Sequence, residues 1–167
     1  MVRFKLSEGT EVPKYQTNGA SGFDVCAMGV LNEIPATRYV GNSIRVEPGE
    51  IVLFDSGITV AHMSPHLEIQ VRSRSGIALK QGLIVGNSPG TIDSDYRGKI
   101  GIIIINVSKH DRIIELGTRI AQLVIAPSLR HEFEIVNDDS EITDTDRGAG
   151  GFGSTGNIGY FTHDINN

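Results

Sequence analysis

A chain of 167 residues is long enough to bury one self-sufficient core, and nothing in it calls for a second domain. No stretch approaches the roughly 18 consecutive apolar residues of a membrane span, and the opening MVRFKLSEGTEVPKYQ has no apolar export region, so a soluble, cytoplasmic protein is expected. A formal net charge of −5 and a single cysteine, Cys26, exclude a nucleic-acid-coating surface, a disulfide framework and a structural zinc site of Cys and His.

Twenty glycines, no tryptophan and a succession of short β-branched runs predict an all-β sandwich or jelly roll. Strands are expected at 3–6, 43–46, 51–54, 57–61, 67–71, 100–106, 119–126 and 133–136, with turn signals such as Glu47-Pro48-Gly49-Glu50 and Ser88-Pro89-Gly90 between them. Before the second of these runs, Ala20-Ser21-Gly22-Phe23-Asp24-Val25 places a carboxylate that fits either a turn or a site. The run 67–71 leads into Val71-Arg72-Ser73-Arg74-Ser75-Gly76-Ile77-Ala78, where a serine opens and Gly82 closes a short helix. An arginine, a hydroxyl and a glycine at a helix start make an anion cradle, or equally an ordinary capped helix with a surface arginine.

The segment 86–98, GNSPGTIDSDYRG, sets carboxylates at the rim of a rigid sheet, where a general base works well. By residue type alone, Asp93 and Asp95 fit a solvated turn just as well. Runs 100–106 and 120–126 are apolar at nearly every position, so both faces should be covered, which in a small protein points to subunit contact. Gln122 is an amide within the second run. Left unpaired it would cost about 1–3 kcal/mol, so it should meet either the sheet backbone or a ligand.

From Asp138 to Asp146 five acids stand without a base, and glycine-rich RGAGGFGSTG follows at 147–156. This composition opposes packing, giving a domain at 1–137 and an acidic linker with a flexible C-terminal arm at 138–167. A plain linker has no use for Phe152. With Arg147 and glycine-exposed amides beside it, the arm fits a lid, the cation meeting phosphate and the ring a base. His62 and His66 do not form a helical metal pair, because Pro65 intervenes in a strand-like context. His110, His131 and His163 stand alone.

Taken in order, ASGFDV at 20–25, RSRSGIA at 72–78, GNSPGTIDSDYRG at 86–98, GTRIAQL at 117–123 and RGAGGFGSTG at 147–156 resemble the five motifs of the trimeric dUTPases. The resemblance implies a distorted, β-clip-like jelly-roll subunit in a homotrimer whose three active sites are each shared between chains. It implies Mg²⁺-dependent hydrolysis of dUTP to dUMP and diphosphate, with no nucleic-acid or membrane partner. Asp93 would activate the attacking water. Tyr96 would lie under the deoxyribose and exclude a 2′-hydroxyl, and Asn87 with Gly90, Thr91, Ile92, Lys99 and Ile100 would read the uracil. Arg74, Ser75, Gly76 and Gln122 would hold the phosphates, and Asp24 would order the water shell of the metal. From the arm, Arg147 would meet the γ-phosphate, Phe152 would cover the uracil, Ser154 and Thr155 would add hydrogen bonds to phosphate, and Gly153 would also contact the substrate.

Three features depart from the family pattern: Ser73 where a proline is usual before the motif-two arginine, a longer connection at 28–42, and residues 157–167 beyond the fifth motif. Two rivals remain. A dCTP deaminase would share the fold and the arginine-serine loop but lacks TIDSDYRG and the arm. A regulatory protein keeping the nucleotide site as a switch is motivated only by 28–42.

Overall fold

In the computed structural model, which describes residues 1–151 and 154, the β-branched runs pair into antiparallel sheets with one short α-helix among them. In chain order the elements are β1 (Val2–Leu6), β2 (Phe23–Cys26), β3 (Gly29–Val30), β4 (Tyr39–Val40), β5 (Ser43–Val46), β6 (Ile51–Met63), β7 (Leu67–Ser73), α1 (Ser75–Gln81), β8 (Leu83–Val85), β9 (Gly90–Ile92), β10 (Lys99–Asn106), β11 (Arg112–Glu115) and β12 (Arg119–Pro127). One sheet runs β1-β6-β10-β8 with β3 also on β6, a second β11-β5-β4, and a third β2-β12-β7-β9. The chain divides into two units, Met1–Arg130, which holds every strand found among the described residues, and the part from His131 onward.

The core lies between strand faces that alternate inward. Phe54, Ile58, Ile69, Ile100, Ile102, Ile104, Ile120 and Leu123 are fully buried. Each such aliphatic or aromatic side chain contributes about 1.5–3 kcal/mol relative to exposure, which is what lets short strands hold without a disulfide.

Several sequence expectations need correction. The runs 51–54 and 57–61 are not separate strands but parts of the 13-residue β6. Gly57, at φ +72°, carries the strand through a bend that a side chain would oppose, because a Cβ there would fall 2.2 Å from Thr10 Oγ1. Ser75 does not cap the helix. Arg74 occupies the N-cap position without a side-chain cap hydrogen bond, and Ser75 is the first helical residue. The helix does end on left-handed Gly82, whose amide donates to Ala78 O at 3.1 Å.

Residues 133–136 form no strand: Phe133 and Ile135 are 88% and 73% exposed. Their alternation is strand-like, yet a strand exists only where its backbone finds a partner, and these residues pair with none among the described residues. Within this unit the described chain makes only local turns, such as the 3₁₀ turn Asp139–Glu141, where Asp138 accepts the Ser140 amide at 2.8 Å.

On β10 the chain itself buries one face, which leaves the other for the subunit contact expected from its composition. Ile100, Ile102 and Ile104 are buried, while Gly101, Ile103 and Ile105 are only partly covered. Across the ladder Ile103 sits opposite Leu53, and Ile105 lies between Ile51 and Ile84, so an apolar row remains accessible on this sheet. The long connection 28–42 is tied to the sheets: β3 joins β6, the Leu31 amide donates to Leu53 O at 2.8 Å, and Arg38 pairs with Glu47 and Glu50.

Candidate active site

Two clusters of polar groups flank β7, and the third sheet positions both. The first is the hairpin formed by β9, residues 93–98 and the start of β10. A turn closes it, with the Tyr96 amide donating to Asp93 O at 3.1 Å. The Tyr96 hydroxyl donates to Lys99 O at 2.7 Å, and Arg97 Nη1 donates to Ser94 O at 2.8 Å and to Tyr96 O at 2.7 Å. The carbonyls of Ser94, Tyr96 and Lys99 thus fix two of the turn's own side chains.

Glycines make this hairpin tight. A Cβ at Gly98 would lie 2.3 Å from the Tyr96 hydroxyl oxygen, so the ring rests directly on the backbone. A Cβ at Gly90 would meet the Asn87 amide nitrogen at 2.9 Å, which shows that the carboxamide lies across the hairpin mouth. Thr91, Ile92, Asp93, Tyr96 and Lys99 line one cavity together with Leu31, Leu53, Gly101 and Ile103. Asp93 is exposed at its edge. Ile100, by contrast, is fully buried, so only its backbone is available to a ligand.

The second cluster surrounds the start of α1. Arg74 Nε donates to Asp24 Oδ1 at 2.9 Å and Nη1 to Arg119 O at 2.8 Å, so the guanidinium is fixed from two sides. Arg119 Nη1 stands 3.9 Å from Asp24 Oδ2, and one carboxylate thus faces two cations. Register explains the proximity: Gln122 lies opposite both Asp24 on β2 and Arg72 on β7. Gln122 Nε2 donates to Ser73 O at 3.0 Å, so the sequence alternatives resolve toward sheet pairing for this nitrogen, while Oε1 stays 3.2 Å from where a Cβ of Gly22 would be. Ser75 and Gly76 are exposed at the helix start, and a Cβ at Gly76 would meet nothing within 4 Å.

Ser73, in the place of the usual proline, has a structural task of its own: its hydroxyl oxygen accepts the Val85 amide at 2.8 Å. None of Asp24, Arg74 or Gln122 lines the hairpin cavity, so a single chain presents the two clusters separately. In the C-terminal unit Arg147 Nε donates to Gly150 O at 2.8 Å, and the Ser154 amide donates to Gly151 O at 3.1 Å. Phe152, Gly153 and Thr155 lie outside the described residues.

Sequence reasoning missed two groups. Arg119 was within reach as part of GTRIAQL, but a regular strand would put it and Gln122, three residues on, on opposite faces, and its approach to Asp24 comes with the register shift between Arg119 and Ala121. Asp55 was hidden between two runs read as separate strands. It is buried, accepts the Gly57 amide at Oδ1 (2.7 Å) and receives Lys99 Nζ at Oδ2 (2.6 Å).

A family model described as dUTPase matches residues 8–156. The chain belongs to the dUTPase family. The deoxyuridine 5′-triphosphate nucleotidohydrolase of Desulfotalea psychrophila is 44% identical over 160 residues, covering 93% of this chain and 97% of that protein. Among solved structures, the dUTPase of Staphylococcus bacteriophage 80alpha with dUPNHPP superposes with a TM-score of 0.68 at 24% identity, covering 93% of this chain and 98% of that one. A dUTPase from phage phi11 of S. aureus, described with a structural Mg(II) ion, gives a TM-score of 0.67 at 22% identity over 83% of this chain and 97% of that one. Both likenesses bear on the all-β fold.

Proposed function

We propose that this chain hydrolyses dUTP to dUMP and diphosphate in the cytoplasm, as a homotrimer of jelly-roll subunits. One observation carries the reading: the hairpin sets a carboxylate and an aromatic ring, Asp93 and Tyr96, on one recess and locks both in the same turn, with the Asn87 carboxamide against Gly90 beside them. In this reading Asn87 and the backbone of Gly90, Thr91, Ile92, Lys99 and Ile100 bind the uracil, and the Tyr96 ring faces the deoxyribose. Asp93 takes a proton from water as the water oxygen bonds to the α-phosphorus. The bond from that phosphorus to the α,β-bridging oxygen breaks, and diphosphate leaves with the electron pair.

Arg74, Ser75, Gly76 and Gln122 hold the triphosphate, and Asp24 keeps the Arg74 fork aimed. The donor set fits Mg²⁺ carried by the substrate. Among the described residues no three His, Cys, Asp or Glu side chains converge to cage an ion, while Asp24 Oδ2, 3.9 Å from Arg119 Nη1, can still accept from a metal-bound water. When bound, Mg²⁺ supplies charge neutralisation on the phosphate oxygens. The arm, with Arg147 on the γ-phosphate, Phe152 over the uracil and Gly153, Ser154 and Thr155 beside them, closes the site.

Two features support the trimer: the separation of the two clusters in one chain, and the apolar row Ile51, Leu53, Ile84, Ile103 and Ile105, which further copies would cover. No described helix is long and apolar enough to cross a membrane, and the net charge of −5 speaks against a nucleic-acid partner.

Diphosphate release from dUTP, UTP, dTTP and dCTP, compared side by side, tests the reading. Only dUTP is expected to turn over, and Tyr96→Ala should raise UTP turnover relative to dUTP by removing the steric bar at C2′. Ammonia released from dCTP would replace the reading with a deaminase. An unchanged dUTP preference in Tyr96→Ala would place sugar selection elsewhere.

A further inference from the structure

Asp55 is the only carboxylate on β6 and is buried in an otherwise apolar row, so its presence calls for a physical reason. Both of its oxygens are engaged, one by the Gly57 amide and one by Lys99 Nζ. The location is informative. Between β10 and β6 the register passes from Lys99 opposite Thr59 to Gly101 opposite Asp55, so β6 bulges where the hairpin leg leaves the sheet. The ladder is interrupted there between the Lys99–Thr59 and Gly101–Asp55 pairs, and the ion pair ties the leg across the interruption, beside a bond from the Val60 amide to Gly98 O at 3.4 Å.

Lys99 also provides the anchor for Tyr96. Its carbonyl oxygen accepts the Tyr96 hydroxyl, and the ring lies against the Gly98 backbone just before it. The Lys99 ammonium faces Asp55 and its carbonyl faces Tyr96, so one residue links a buried carboxylate to the ring. We propose that Asp55, acting through Lys99, is the positioning residue that sets Tyr96, and with it the discrimination between deoxyribose and ribose. The proposal rests on the dUTP reading for its substrate, but not for the mechanical link.

The two side chains are unequally placed, at 13% exposure for Asp55 and 51% for Lys99. A pair exposed on both sides would be weak. Here, loss of the cation leaves a carboxylate that is mostly dry without its partner, so the leg must shift or water must enter. A brace that served only the sheet would lower thermal stability and leave sugar selection alone.

Lys99→Met removes the charge but keeps the stem at a half-exposed position where folding tolerates change. It is expected to cut the dUTP-over-UTP preference in kcat/KM by about tenfold, mainly through a higher kcat/KM for UTP as the displaced ring ceases to bar the 2′-hydroxyl, because small displacements of a positioning group have effects of this order or larger. Lys99→Arg, which can still reach Asp55, should keep the preference. Asp55→Asn should behave as Lys99→Met, and the double variant should be no worse than the poorer single one. Without nucleotide, amide hydrogen exchange at residues 93–98 should quicken in Lys99→Met and not in Lys99→Arg. That readout needs no turnover, so it stands or falls separately from the dUTP reading. Unchanged exchange and selectivity in Lys99→Met, Lys99→Arg failing as Lys99→Met does, or single effects that multiply in the double variant would each overturn the proposal.

Discussion

Replacing Asp93 by Asn is expected to lower kcat for dUTP by ~10²–10⁴ while leaving the affinity for a non-hydrolysable dUTP analogue largely intact. The amide fills the same volume at the edge of the hairpin cavity but cannot take the proton of the attacking water. The hairpin should survive the change, because the bond that closes it runs from the Tyr96 amide to the main-chain oxygen of residue 93, not to its side chain. Single-turnover kinetics paired with calorimetric binding separates the two effects. A near-normal kcat would remove Asp93 from the role of base.

A chain ending at Asp146 should fold and assemble as the full chain does, yet lose on the order of 10²-fold or more in kcat/KM, the scale expected when a charge clamp and a lid are both removed. All strands among the described residues lie within Met1–Arg130, and residues 131–149 are exposed, so the described part of the deletion holds little buried apolar area. What it removes chemically is Arg147, a cation for the γ-phosphate, and Phe152, an aromatic cover for the base. The thermal midpoint and the oligomer mass should be almost unaltered. In the full chain, an analogue of dUTP with Mg²⁺ should protect the arm from proteolysis. Normal turnover by the truncated protein would reduce the fifth motif to a linker.

The sequence was most legible where local chemistry decides the backbone. The all-β class, the stop of α1 at Gly82 and the glycine-tight hairpin around Asp93 all follow from residue types that permit few alternatives. It was least legible where a partner decides. The run 133–136 has a strand's alternation but no strand beside it among the described residues, and β10 has the composition of a twice-covered strand while its own chain covers one face well. Asp55 escaped for a third reason. An acid followed by Ser56-Gly57 reads as a turn, and only the register between β6 and β10 brings it to Lys99, 44 residues away. The Arg74–Asp24 pair was hidden in the same way, its members lying 50 residues apart and joined only through β12. Motif matching identified both residues as site groups, whereas the contact that aims one with the other belongs to the fold.

The claim at the centre of this account is attack by an Asp93-activated water on the α-phosphorus of dUTP. Hydrolysis of dUTP in heavy-oxygen water, with both products weighed by mass spectrometry, tests it most directly. The account predicts dUMP carrying the heavy oxygen and diphosphate carrying none. Label in the diphosphate, or products that are dUDP and phosphate, would contradict it.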